Sequence, residues 1–472
     1  MKDILEHTID FASRLGADYS EARLELKRSE EVILKNGVPE GSGFSLSRGI
    51  GVRVLVNGSM GFASTNILEK DEVENAVKKA ISMAKAFKGE EGLSDEEFTE
   101  DKWGNRPKID PRDVDLEERI SYLMDLDKEI LGLEEEINVK IPSRFLEIRN
   151  QCTEKHYANS EGSKIESQVT RVEAFYSAVL MRNGDVLQTM GSFGKSMGWE
   201  TLEEINFRDR VLNEIREMEK MFNGKKPPEG ELDVVIGPQV TGIVVHESCG
   251  HPFEADRIMG REAAQAGESY MSPDKLGWEI GSEAVTIVED PTLEGSFGFY
   301  LYDDEGVKAR RRYLIKDGVA NELLHNRETA YKLETNSNAS ARASSYDREP
   351  IVRMANTFML PGDHSFEELV EDIKLGVYIK TYMEWNIDDR RWNQRYIGRH
   401  SYLIEDGEIK APVREPILEM TTEGLYKSVD AVGNDLDFET GHCGKGDPMQ
   451  GVPVWFGGPH VRLRRVRLLT RR

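Results

Sequence analysis

The sequence predicts an α+β fold: an N-terminal α+β domain over residues 1–225 and a β-rich C-terminal domain over residues 230–472. Three observations carry this. In the first half, helix-period and strand-period apolar patterns alternate. The segment Gly224-Lys225-Lys226-Pro227-Pro228-Glu229-Gly230 then combines glycine, charge and two prolines after a helical pattern, which suits a linker. Beyond it, short β-patterned runs and turn dipeptides dominate. A chain of 472 residues is also too long for one ordinary core.

Taken in order, residues 2–15 place Ile4, Leu5, Ile9, Ala12 and Leu15 at helical spacing, and Gly16 is a natural stop. Short strands are expected at 19–26, 32–34 and 49–56, with Asn57-Gly58 as a tight hairpin turn. Residues 69–87 read as an amphipathic helix, with Val73, Val77, Ala80, Ile81 and Ala84 on one side. The acidic, proline-bearing stretch 89–113 reads as a solvated loop. A helix at 116–133, a β-meander over 145–190 turning at Asn183-Gly184, and a helix over 202–222 complete the first domain.

The second domain opens with a strand at 232–237, and Pro238 starts a helix. Hairpins are expected at Asp317-Gly318 and Asp406-Gly407, and a helix over 365–376. The run 460–467 largely alternates apolar residues with arginines and reads as an edge strand.

Charge and cysteine usage narrow the function. A net charge of -24 argues against a nucleic-acid or anionic-membrane binder, which would need a basic face. No apolar run approaches a membrane span. Asp3, Glu6 and Asp10 do not suit a secretory signal. Three cysteines (Cys152, Cys249, Cys443) form no disulfide framework and fit a reducing cytoplasm.

The stretch richest in chemistry is His246-Glu247-Ser248-Cys249-Gly250-His251. Two neutral imidazoles can hold zinc, and a neighbouring carboxylate can take a proton from water. In the common zinc-peptidase helix the histidines are four apart. Here they are five apart, and a regular helix would splay them by roughly 140°. If both bind one metal, the helix must deform near Gly250, as a π-turn would. The alternative is an ordinary helix with one buried and one surface histidine.

A catalytic zinc takes three protein ligands and an open position. Candidates for the third are Cys249, Cys443, His325, His364, His400, His442, His460 and the carboxylates. Cys443 lies in a glycine-rich loop, Gly441-His442-Cys443-Gly444-Lys445-Gly446, where backbone can approach a ligand closely. That loop is no P-loop, because Gly446 follows the Gly-Lys pair.

Several blocks in one order give the chain a family likeness. His246-Glu247 with His251 and Cys443-Gly444-Lys445-Gly446 match two signatures of the TldD/PmbA family of zinc peptidases. Asn159-Ser160-Glu161-Gly162, Arg327-Glu328-Thr329-Ala330, Ala341-Arg342-Ala343, Arg353-Met354-Ala355-Asn356-Thr357 and Gly457-Gly458-Pro459-His460 match along the length. The chain most closely resembles the TldD branch.

The resemblance implies a metal, Zn2+, held by His246, His251 and Cys443, with Glu247 as general base. It implies hydrolysis of peptides or unfolded protein segments, and a TldE/PmbA-type partner subunit or a homodimer. Segment 381–392 departs from the glycine-rich bacterial pattern, which bears on the substrate cleft. No oxyanion donor is assigned among Arg342, Arg353 and Tyr346. An extended substrate would add to a free β-edge, and 350–357 is a candidate. The competing class is a non-catalytic subunit or scaffold with a closed structural zinc site, in which His442 or His460 would be a fourth ligand.

Overall fold

The computed structural model describes residues 2–262 and 267–470. Its first sheet runs Ser59–Thr65, Val38–Val56, Tyr19–Lys35, Lys140–Asn159, Lys164–Arg182. Glu100–Gly104 and Asp185–Lys195 both pair with the last of these. Helices Lys2–Arg14 and Lys70–Ala86 bury their apolar faces on one part of the sheet. Leu116–Glu136 and Phe207–Lys220 cover another. Gly61 allows the closest approach: a Cβ there would lie 2.0 Å from the Ala80 carbonyl oxygen.

Four expectations change here. The strands expected at 19–26 and 32–34 are one strand, Tyr19–Lys35. Its charged middle stays in register because partners flank it on both sides and because Arg28–Glu30 and Lys27–Glu25 pair locally. The 89–113 stretch contains the parallel strand Glu100–Gly104, so it is not all solvated loop. The helix over 202–222 breaks at Asn206, whose φ of 49° is left-handed. That over 365–376 is the five-residue Phe366–Val370, since Leu375 already begins a strand.

The chain beyond residue 229 builds a nine-stranded and a six-stranded sheet. The larger runs Tyr382–Ile387, Asn393–Gly398, Pro416–Thr421, Val461–Thr470, Gly230–Ile236, Leu375–Ile379, Ser401–Glu405, Glu408–Pro412, with Val429–Val432 also on Val461–Thr470. The smaller runs Val319–Ala320, Arg312–Lys316, Ile287–Glu289, Asn356–Met359, Gln450–Gly458, Asp437–Lys445. Helix Pro238–Val245 is apolar on all sides and packs in the shared core with Val234, Ile236, Val454, Phe456 and Val461.

Two edge-strand expectations are overturned. The arginine-rich run lies in Val461–Thr470, an interior strand, because its charges meet carboxylates. Arg462 pairs with Asp430 and Asp372, and Arg464 with Asp233, Asp372 and Asp430. The 350–357 stretch splits. Asn356–Met359 is hydrogen-bonded to strands on both sides, and Ile351–Val352 pairs with Ala341–Arg342. The first therefore has no edge to offer a peptide.

Candidate metal centre

The helix Pro238–Val245 continues into a π-turn at His246–Gly250, whose closing bond runs from the His251 N–H to the His246 carbonyl. That i→i+5 bond brings residues five apart onto one face, as the spacing requires if the two imidazoles are to meet. The rings lie 5.1 Å apart at 81°. Gly250 is needed at the turn, because a Cβ would sit 1.9 Å from Met354 Sδ. Pro252 follows in a short 3-10 turn that ends the helix.

Cys443 arrives from strand Asp437–Lys445, almost two hundred residues downstream. Its Sγ lies 3.5 Å from His251 Nε2. One donor atom each from His246, His251 and Cys443 falls within 4.8 Å of the others, and all three residues are buried. No other His, Cys, Asp or Glu among the described residues joins them. His460 is engaged by Asp435 and Tyr378, and His442 stacks edge-on against Phe297. His325 bonds Thr329, and His400 bonds Thr381. Cys249 is buried and its thiol is pushed well above the usual range by that burial.

Burial lowers the basicity of His246, and of His251 still more, so both imidazoles are neutral donors at neutral pH. Burial pushes the Cys443 thiol up, but the charges of His251 and Arg353 outweigh it and the net shift is down, toward thiolate. His246 Nδ1 is buried without a hydrogen-bond partner among the described residues. His251 Nδ1 lies 3.0 Å from Glu254 Oε2. A carboxylate only accepts, so this contact puts the proton on Nδ1 and leaves the Nε2 lone pair facing Cys443. Two neutral imidazoles and an acidified thiol, with lone pairs converging, fit a borderline-soft dication such as zinc.

Two further groups escaped sequence reasoning. Lys445 is wholly buried, with its Nζ 2.6 Å from Asp256 Oδ1, 3.2 Å from Glu254 Oε2 and 2.8 Å from the Val352 carbonyl. The signal was period two: Cys443 and Lys445 share one face of a strand, so a buried cysteine implied a buried lysine in need of carboxylates. Arg391, in the divergent 381–392 segment, donates through Nη1 to Glu247 Oε2. Nothing local announced that contact.

Of the three oxyanion candidates, Arg342 donates to the Met354 and Pro453 carbonyls, and Arg353 to those of Gln450 and Cys443. Tyr346 packs against Gly49 of the first sheet.

The model for the PmbA/TldA metallopeptidase C-terminal domain matches residues 229–469, just over half of the chain. Those for domain 1 and the central domain match 20–84 and 109–220. The chain belongs to the PmbA/TldD metallopeptidase family. A metalloprotease of Methanocaldococcus jannaschii is 33% identical over 94% of this chain and 96% of its own. The zinc metalloprotease TldD homolog of Saccharolobus solfataricus is 26% identical over 97% of this chain and 98% of its own. The crystal structure of TldE from Thermococcus kodakarensis superposes with a TM-score of 0.77 at 17% identity, covering 98% of this chain and 99% of that one. That likeness is one of fold. Within the PmbA/TldD architecture, His246, Glu247, His251 and Cys443 all fall in the C-terminal match.

Proposed function

We propose that this chain is a zinc-dependent peptidase that hydrolyses peptides or unfolded protein segments, with His246, His251 and Cys443 as metal ligands and Glu247 as general base. The observation that carries it is the convergence of three buried donor atoms within 4.8 Å, next to a carboxylate on the same turn. The zinc named for the Saccharolobus relative supports the choice of ion. A set of three leaves a coordination position for chemistry, which a structural site with four protein ligands would not.

Bound there, zinc would supply Lewis-acid charge that favours both deprotonation of water and polarisation of a peptide carbonyl. The chain's own residues do the rest. Glu254 holds His251 in one tautomer, and Lys445 balances the charge of Glu254 and Asp256 behind it. Glu247 takes a proton from the attacking water as its oxygen bonds to the carbonyl carbon and the C=O pair moves onto the carbonyl oxygen. When the C=O re-forms and the C–N bond breaks, Glu247 returns that proton to the leaving nitrogen.

The likeness to TldE motivates the rest of the reading: a TldE-type partner subunit or a second copy completes the working particle. Separate sheets before and after residues 225–230 support division into domains 1–225 and 230–472. All three cysteines are free, which suits the cytoplasm. No helix among the described residues is long and apolar enough to cross a membrane.

The test is metal content together with hydrolysis of an unstructured peptide, for wild type, Glu247→Gln and Cys443→Ala, alone and with a TldE-type partner. Stoichiometric zinc and hydrolysis by wild type, zinc without hydrolysis in Glu247→Gln, and weakened zinc binding in Cys443→Ala are expected. Bound zinc with no hydrolysis under any pairing would sink the peptidase reading in favour of a structural metal.

A further inference from the structure

Building on the peptidase reading, we propose that Arg391 is a further catalytic residue: its guanidinium holds Glu247 and donates to the scissile carbonyl oxygen as negative charge develops there.

Arg391 sits in the turn between strands Tyr382–Ile387 and Asn393–Gly398, the divergent segment of the sequence. Its Nη1 donates to Glu247 Oε2, and its Nε is buried without a partner among the described residues. A fork of donors with one arm on the general base and another unspent is what an oxyanion site needs in the resting state.

The turn fixes that side chain. Arg391 has a left-handed φ of 62°, uncommon for an arginine, and such conformations persist where surroundings over-determine them. Asp388 accepts from the Trp392 and Asn393 N–H groups at 2.8 and 3.0 Å, and its carbonyl accepts from the Arg391 N–H at 2.9 Å. The Thr422 hydroxyl donates to the Arg391 carbonyl at 2.8 Å. The Trp392 ring stacks on Trp278 and meets Tyr270 edge-on.

The competing donors are committed elsewhere. Arg342 and Arg353 bridge backbone carbonyls of neighbouring strands, and Tyr346 lies against the first sheet. Of these cationic and hydroxyl groups, Arg391 is the one that touches Glu247. The guanidinium stays protonated throughout and gives up no proton.

The experiment compares wild type, Arg391→Ala and Arg391→Lys as full-length, zinc-loaded protein. It measures kcat and KM on an unstructured fluorogenic peptide, equilibrium zinc affinity, and affinity for a phosphinic pseudopeptide that mimics the tetrahedral oxyanion. In Arg391→Ala, kcat is expected to fall about 100-fold, KM and zinc affinity to hold, and phosphinic affinity to fall in step with kcat/KM. Arg391→Lys, which keeps charge and bulk, should retain part of kcat. Millimolar guanidinium should restore part of the Arg391→Ala loss.

A rise in KM with kcat intact, or a loss of zinc affinity matching the loss of rate, would overturn the role. So would unchanged kinetics. Wild type that cleaves no peptide fails the peptidase reading and takes this proposal with it. Wild type that cleaves with Arg391→Ala equally fast fails this proposal alone.

Discussion

Two buried polar regions of this molecule solve opposite problems. Between the first sheet and the later chain, Arg53 lies against Glu21 and Glu305 at 2.9 and 2.6 Å, and Arg327 crosses to Glu161 and the Ser94 carbonyl. There, unlike charges from distant parts of the chain meet, and the cluster needs no visitor. At the His246–His251–Cys443 cluster, lone pairs meet lone pairs, with no cation of the chain among the three donors. The first arrangement welds two parts of the molecule. The second is incomplete as protein alone, and that incompleteness is what points to an ion.

The contrast can be broken at either end. Arg53→Ala leaves Glu21 and Glu305 buried without their cation and should destabilise the fold by about 3–5 kcal/mol, with zinc affinity of the folded protein unchanged. Urea denaturation and zinc titration on the same sample check both halves. Glu247→Gln does the converse: stability holds within about 1 kcal/mol while peptide hydrolysis falls by about 10²–10⁴-fold, the worth of a positioned acid–base group. Denaturation curves and single-turnover rates measure it.

A smaller effect sharpens the boundary. Glu254→Gln removes the charge that orients His251, and zinc affinity should fall about 10–100-fold. A competition titration against a chelator reads this directly.

The smallest effect belongs to Glu439, on the strand that bears Cys443. Burial holds its carboxyl up to about 7, partly relieved by the Tyr382 hydroxyl. Its folded pKa is raised, so between about 4.5 and 7 the folded chain binds more protons than the unfolded chain. Stability contributed by this group therefore falls as pH rises through that window. Glu439→Gln should flatten the decline, seen as a gain over wild type at pH 8 that vanishes at pH 4.

Much of this was legible in the sequence because it is local. The helices Lys2–Arg14, Lys70–Ala86 and Leu116–Glu136 carry their own periodicity, and Asn57-Gly58, Asn183-Gly184, Asp317-Gly318 and Asp406-Gly407 adopt the left-handed angles such turns require. The five-residue histidine step likewise carried its own geometric demand, and the chain meets it with a π-turn. What escaped depends on partners far away. Lys27–Glu31 reads as polar and unstructured until strands close on both sides. The arginines of Val461–Thr470 read as solvent-facing until Asp233, Asp372 and Asp430 are set opposite. Arg391 meets Glu247 across 144 positions, and no pattern in either neighbourhood encodes that pairing.

The π-turn has one more consequence. Such a turn is an α-helix carrying a single inserted residue. Deleting Ser248 would yield the four-residue histidine step of the common zinc helix and let the ladder run regular. It would also shift the phase of everything after it by about 100° and about 1.5 Å. Glu254 and Asp256, which meet Lys445 on a strand fixed by other partners, would then be out of reach. The insertion cannot be undone by one codon without also moving the lysine, so the two signatures of this chain are locked together by an indel as much as by a metal.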